Sequence, residues 1–130
     1  GIFDGGILEI DLGQKKVTNQ INLNLSMPHS ICQYNDELLI LDSLNGTVLG
    51  NGFQEIVRLN GFARGFAHDC SGAMLVGLSK NRNFTKLSTL DNRNVSLDNC
   101  FLAIDPLTLI SKTFMLPSSI SEVHSICSLS

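Results

Sequence analysis

Gly-Ile-Leu-Glu-Ile-Asp at residues 6–11 and Met-Pro-His-Ser-Ile-Cys at residues 27–32 recur near the other end of the chain. There, residues 100–105 read Cys-Phe-Leu-Ala-Ile-Asp and residues 122–127 read Glu-Val-His-Ser-Ile-Cys. Residues 63–68, Ala-Arg-Gly-Phe-Ala-His, are a looser copy of the second half. Such internal repetition predicts an architecture of similar structural units placed next to one another.

Short apolar runs separated by turns make up each copy of the repeat. The turns are rich in Asn, Asp, Gly and Ser, which accept left-handed backbone or form local hydrogen bonds. This pattern predicts an all-β fold in a single partial domain, residues 1–130. Its predicted parts are an outer hairpin at 6–23, a four-stranded blade at 29–59, a second blade at 63–115 with a long loop at 79–99, and an inner strand at 122–128.

Two of the runs, residues 38–41 and 101–104, are apolar at successive positions instead of alternating. A strand of this kind is covered on both faces. The radially packed blades of a β-propeller cover their inner strands in this way, and we therefore predict antiparallel, four-stranded propeller blades. A β-sandwich is the alternative, because it also has short strands at regular spacing.

The segment from Pro28 to Val48 resembles an NHL-type propeller repeat. It has a proline, an apolar inner strand, a second strand ending in Asp, and an Asn before the third strand. Residues 27–30 (Met-Pro-His-Ser), 61–65 (Gly-Phe-Ala-Arg-Gly) and 76–82 (Val-Gly-Leu-Ser-Lys-Asn-Arg) together resemble an uncharacterised bacterial propeller-domain family of unknown function. The resemblance implies a fold and no activity. Similar propellers are scaffolds for binding, and some are metal-dependent lactonases.

About two and a half blades do not close a ring, because propellers typically have four to eight. We therefore expect either that the chain is part of a longer protein or that copies of it assemble. Equal repeat positions also predict that Ile31, Phe66 and Ile126 are largely buried on three neighbouring inner strands.

Composition excludes several classes of partner. The formal net charge is −3, and the nine basic and twelve acidic residues form no runs, so we expect no nucleic-acid partner. The apolar stretches are far shorter than the roughly 20 residues of a membrane helix, so we expect no membrane partner.

The four cysteines, at positions 32, 70, 100 and 127, are widely separated and have no CxxC spacing. We interpret them as buried free thiols in preference to a disulfide or a metal site. Free thiols favour a reducing cytoplasm as the location of the protein.

The candidate site lies on the face formed by the loops that enter the inner strands. His29, Arg64 and His124 share one repeat position and are predicted to form one cluster, and the same set of loops supplies Glu122. Two histidines and an arginine there would favour a carboxylate or phosphate. As alternatives, the histidines hydrogen-bond neighbouring backbone, and Arg64 forms an internal ion pair with Glu122 or Asp42.

Loops between second and third strands contribute to the same face. They supply Asp42 and Ser43 from one blade, and Ser79, Lys80 and Arg82 from the next. The segment 79–99 is predicted to be a lid over the site, with a solvated loop as the alternative.

The leading functional hypothesis is a non-catalytic propeller module that binds a small anionic molecule or a partner protein through the loop face. The chain has none of the common catalytic signatures, including G-x-S-x-G and H-E-x-x-H. No cofactor is therefore predicted. The alternatives are a lactonase-like hydrolase with calcium or zinc held by Glu122, Asp42 and His29, and a purely structural interaction domain of a larger protein.

Overall fold

A computed structural model describes residues 4–80 and 99–128 of the chain. These residues form ten β-strands, a 3₁₀ turn at Asn51–Phe53 and no α-helix, so the all-β prediction is confirmed. No helix in these ranges has the length and hydrophobicity needed to cross a membrane. The strands are β1 (Gly5–Asp11), β2 (Lys16–Leu25), β3 (His29–Tyr34), β4 (Glu37–Asp42), β5 (Thr47–Leu49), β6 (Glu55–Arg58), β7 (Phe62–His68), β8 (Met74–Ser79), β9 (Cys100–Ile104) and β10 (Ser111–Met115).

The strands form three antiparallel sheets, and within each sheet neighbouring strands are consecutive in the chain. β1 and β2 form a hairpin, β3 to β6 form the first four-stranded sheet, and β7 to β10 form the second. Local sequence explains the tight connections. Asn35 and Asp36 join β3 to β4 with φ angles of 46° and 63°, and a two-residue hairpin turn of this kind favours Asn and Asp.

The main hydrophobic core lies between the two four-stranded sheets. Leu39 and Leu41 of β4 and Val48 of β5 pack in one cluster with Phe66 of β7 and Val76 of β8. A fully buried aliphatic or aromatic side chain contributes about 1.5–3 kcal/mol relative to its exposed state. This shared core joins the sheets into one packed unit.

The first sheet is also covered on its other face. Ile40 of β4 and Leu49 of β5 pack with Leu25 of β2 in a separate cluster. Because neighbouring residues of a strand point to opposite faces, two covered faces require an unbroken apolar run. The prediction of coverage on both faces is therefore confirmed for residues 39–41, whereas Leu38 is 41% exposed.

Burial of the three equivalent positions differs from the prediction. Phe66 is buried as expected, at 7% exposure, but Ile31 is 49% exposed and Ile126 is half-buried. Ile31 pairs with Ile40 across β3 and β4 and so faces the side of the hairpin. The hairpin covers Ile40 and leaves Ile31 in contact with solvent.

The predicted strand at 122–128 is wrong in its secondary structure. These residues follow the second sheet without a strand assignment. They nevertheless lie against β7 and β8, where a Cβ on Gly65 would be 3.0 Å from Ile126 Cγ1, and one on Gly77 would be 2.3 Å from Val123 Cγ1. The two glycines therefore permit a close approach of what we call the C-terminal segment, residues 117–128.

The cysteines are all free, in agreement with the absence of a disulfide framework. Their expected burial is wrong for two of them. Cys100 is buried and Cys32 is half-buried, but Cys70 and Cys127 are exposed. Cys70 lies in the β7–β8 turn, where a thiol has no core to enter, and Cys127 lies in the C-terminal segment.

Candidate functional site

The three equivalent entry positions lie next to one another. His29 begins β3, Arg64 lies near the start of β7, and His124 belongs to the C-terminal segment. The hydroxyl of Ser30 donates a hydrogen bond of 2.6 Å to the carbonyl oxygen of Arg64, which connects β3 to β7 at this point. Residues that share this position in the sequence repeat therefore also lie close together in the fold.

Arg64 is the centre of this group, which we call the Arg64 cluster and which consists of His29, Phe62, Arg64, Glu122 and His124. Nη1 of Arg64 donates a hydrogen bond of 3.0 Å to Glu122 Oε2 and lies 3.4 Å from His124 Nδ1. The guanidinium carbon lies 5.8 Å from the centre of the Phe62 ring, within cation–π range. The Arg64 and Glu122 side chains are only 20% and 11% exposed, so their mutual attraction is weakly screened.

One donor of this guanidinium is unused. The Nε–H of Arg64 is buried, and no atom of the described residues accepts a hydrogen bond from it. A buried donor without an acceptor costs about 1–3 kcal/mol. The same Nε–H is one of the groups through which arginine binds a carboxylate or phosphate in two-point fashion.

His124 lies on the solvent side of the ion pair, with 65% of its side chain exposed. Its Nε2 is 2.5 Å from Glu122 Oε2, and its Nδ1 faces Arg64 Nη1. In the tautomer that matches these contacts, Nε2–H donates to Glu122 and Nδ1 accepts from Arg64. The exposed ring therefore forms the outer wall of the Arg64–Glu122 pair.

His29 lies on the inner side of the cluster. Its Nδ1 is 2.9 Å from the carbonyl oxygen of Met27 and 3.0 Å from Ser43 Oγ, and its ring meets the Phe62 ring edge-on. Burial lowers the pKa of His29, and the nearby charge of Arg64 lowers it further, although the hydrogen bond with Met27 acts in the opposite direction. The predicted hydrogen bond to neighbouring backbone is confirmed, and His29 is neutral near pH 7.

Asp42 and Ser43 stabilise the loop after β4. The carboxylate of Asp42 accepts hydrogen bonds of 2.7 Å from the Ser26 amide and 2.6 Å from the Asn45 side chain. Ser43 is fully buried against His29. The ion pair that the structure describes for Arg64 is with Glu122, so of the two predicted partners Glu122 is the one observed.

Ser79 and Lys80 hold the C-terminal segment in place. The amide of Val123 donates a hydrogen bond of 2.8 Å to Ser79 Oγ, and the amide of Lys80 donates to the carbonyl oxygen of Ser121 at 3.2 Å. Asn99 contributes on the same side, because its side-chain amide donates to the carbonyl oxygen of Ile120. These contacts position Glu122 and His124 next to Arg64, whereas the Lys80 side chain is exposed.

Comparison with protein families adds one finding to this geometry. The model of the family described as Domain of unknown function (DUF4915) matches residues 3–130. The chain belongs to this family. No curated protein and no solved structure matches it.

The residues proposed for a metal do not come together in the described part of this DUF4915 member. Among residues 4–80 and 99–128, no group of three His, Cys, Asp or Glu side chains lies close enough to hold a metal ion. Glu122 has His124 beside it, whereas Asp42 accepts hydrogen bonds from Ser26, between β2 and β3, and from Asn45 in the loop after β4. The predicted set of Glu122, Asp42 and His29 is therefore not assembled.

Two expectations for this family member fall outside the described residues. Arg82 lies in the range 81–98, and the predicted lid at 79–99 lies mostly in the same range.

Two residues of the site, Phe62 and Asn99, were not predicted from the sequence. Phe62 precedes Arg64 by two positions, a spacing that puts side chains on one face of a regular strand and was the available signal. In β7 the pairing shifts register between Ala63 and Gly65, and the contact of Arg64 with the Phe62 ring is what the structure shows. The role of Asn99 had no such signal, because its partner is a distant backbone carbonyl.

Proposed function

We propose that the chain forms consecutive blades of an NHL-like β-propeller, with the hairpin and the C-terminal segment as parts of two further blades. The support is the order of packing: hairpin, first sheet, second sheet and C-terminal segment follow one another in chain order. The first sheet is covered on both faces, which a two-layer sandwich does not require. Equal repeat positions in neighbouring units, such as His29 and Arg64, are also close in space.

We propose that this module is non-catalytic and binds a small anionic molecule, or an acidic side chain of a partner protein, at the Arg64 cluster. The observation that carries the proposal is the buried Nε–H of Arg64, which has no acceptor among the described residues. A carboxylate or phosphate oxygen would satisfy this donor and use the planar guanidinium in two-point fashion. His124 is the exposed member whose displacement would open the way to Arg64.

Thermal unfolding in the presence of small anions tests this function. We expect phosphate or citrate to raise the melting temperature more than sodium chloride at matched ionic strength, because a ligand of the native state stabilises it. Arg64→Lys keeps a positive charge but lacks the planar guanidinium group with its several N–H donors. The extra rise in melting temperature with phosphate or citrate should therefore be lost. Arg64→Ala should also lose it, at a larger cost in basal stability because the partly buried Glu122 carboxylate loses its ion pair with the guanidinium.

Arg58→Lys is the matched control. Arg58 also pairs with a carboxylate, that of Glu55, but both side chains are well exposed, at 58% and 40%. Its substitution should leave the response to anions unchanged. An equal response of the Arg64→Lys variant and the original chain would reject the Arg64 cluster as the binding site.

The free cysteines support the cytoplasm as the proposed location. Cys70 and Cys127 are exposed free thiols. A reducing compartment keeps such thiols reduced, whereas an oxidising compartment would favour their oxidation to disulfides.

A further inference from the structure

The hairpin leaves one edge of β1 open. β1 pairs with β2 on one side, and no strand of the described residues pairs with its other side. The repeat copy that matches β1 is β9, which lies between β8 and β10 in the second sheet. By this equivalence, the open edge of β1 is a place where a strand corresponding to β8 would pair.

The exposure of Ile31 is a second, independent observation. Ile31 and Phe66 share a repeat position, and each side chain faces the unit that precedes its own sheet. Phe66 is 7% exposed because the first sheet provides Leu39 and Leu41 of β4 in the same core. Ile31 is 49% exposed because, in the part of the chain that the structure describes, the preceding unit consists of the hairpin alone.

A groove of about 300 Å³ lies between β1 and β3, where such a strand would be placed. Its walls include Gly6 and Ile7 of β1, Ile31 of β3 and Ile40 of β4, and the described lining contains no Asp, Glu, Lys or Arg. An open strand edge provides main-chain hydrogen bonds, and an apolar floor accepts alternate side chains. Proteins bind extended peptides by strand addition at sites of this construction.

We propose that this groove, which we call the β1 groove, binds an extended apolar strand that pairs with the open edge of β1. The partner strand runs antiparallel to β1, as β8 runs antiparallel to β9. It carries apolar side chains at alternate positions, in the pattern of Leu39 and Leu41, and these side chains cover Ile31. The uncharged lining of the groove excludes a partner whose inward-facing residues are charged.

A labelled peptide with the sequence of residues 38–44, Leu-Leu-Ile-Leu-Asp-Ser-Leu, is a direct probe of the β1 groove, because its inward-facing positions 39, 41 and 43 carry no charge. Titration with the folded chain should give a saturable rise in fluorescence anisotropy. Hydrogen exchange should slow at the β1 amides that face the open edge, because strand pairing protects them. The same peptide with Ile40→Pro should not bind, since proline lacks the donor that a paired strand uses.

Ile31→Asp in the chain places a carboxylate in the groove and should weaken peptide binding by at least about tenfold. Leu107→Asp is the control, because Leu107 is 92% exposed in the turn after β9 and should not affect binding. The proposal is overturned if the peptide does not bind, if β1 exchange is unchanged, or if Ile31→Asp binds as tightly as the original chain. Self-association of the chain that buries Ile31 without peptide would assign the groove to a second copy and would also overturn it.

Discussion

His29 combines a partly buried ring with a hydrogen bond to the Met27 carbonyl oxygen. The ring adjoins Phe62 on one side and Ser43 on another, so protonation would place a positive charge in a partly desolvated position. Burial is the main reason why its pKa lies below the ordinary value of 6.5, and the charge of Arg64 adds to the effect. The native state therefore favours neutral His29.

This preference predicts a pH dependence of stability. The unfolded chain binds a proton on His29 near pH 6.5, whereas the native state binds it only at lower pH. The free energy of unfolding contributed by His29 is therefore complete above about pH 7 and falls as the pH is lowered toward the native pKa. Denaturant unfolding between pH 7 and 5 should show this decrease, and His29→Gln should reduce it. An identical pH dependence in the variant would contradict the prediction.

Among the elements, the C-terminal segment is unusual because it packs closely against the second sheet without a strand assignment. Its backbone is held by the hydroxyl of Ser79 and by the amide of Lys80. Gly65 and Gly77 provide the space that it occupies. The position of Glu122 relative to Arg64 depends on these contacts.

We expect Gly77→Ala to displace this segment. A Cβ at position 77 would lie 2.3 Å from Val123 Cγ1 and 2.7 Å from its Cβ, far inside van der Waals contact. Overpacking of this kind typically costs about 1–3 kcal/mol, which denaturant unfolding would detect. Because the clash is with one side chain, a Val123→Gly change should restore part of the lost stability in the double variant. Additive losses in the double variant would show that the clash is not the cause.

At the scale of the whole molecule, the two four-stranded sheets share one core. Leu41 of β4 is fully buried within it, and Tyr34 of β3 packs against it, with its ring 5.4 Å from that of His68 on β7. A shared core couples the stability of the sheets, because separating them exposes apolar surface on both.

The two sheets should therefore unfold as one cooperative unit. Tyr34 is the only tyrosine, and the chain has no tryptophan, so intrinsic fluorescence reports the interface between the sheets. Its transition should coincide with the loss of circular dichroism from all strands. Leu41→Ala should lower the free energy of unfolding by about 2–5 kcal/mol with both transitions still coincident. Separate transitions in the original chain would show that the sheets unfold independently.

Where the repeat was informative, the sequence predicted which residues lie close together. Equal repeat positions placed Arg64 and His124 together, and the pairing of Arg64 with Glu122 was one of two alternatives. Repeat positions define where a strand begins but not how well each side chain is covered. They therefore could not show that Arg64 Nε has no acceptor among residues 4–80 and 99–128, or that Ile31 is exposed.

The sequence by itself determined the strands of the hairpin and of the two four-stranded sheets, with their turns, because local apolar runs and residues such as Asn35 and Asp36 act through the backbone nearby. It also determined that β4 is covered on both faces, since only an unbroken apolar run meets that condition. Tertiary structure alone decided which carboxylate neutralises Arg64 and how residues 122–128 are held. Those outcomes depend on contacts between residues far apart in the chain, such as Arg64 with Glu122 and Ser79 with Val123. Spacing and composition could not choose between Glu122 and Asp42, and they gave no sign of the contact between Ser79 and Val123.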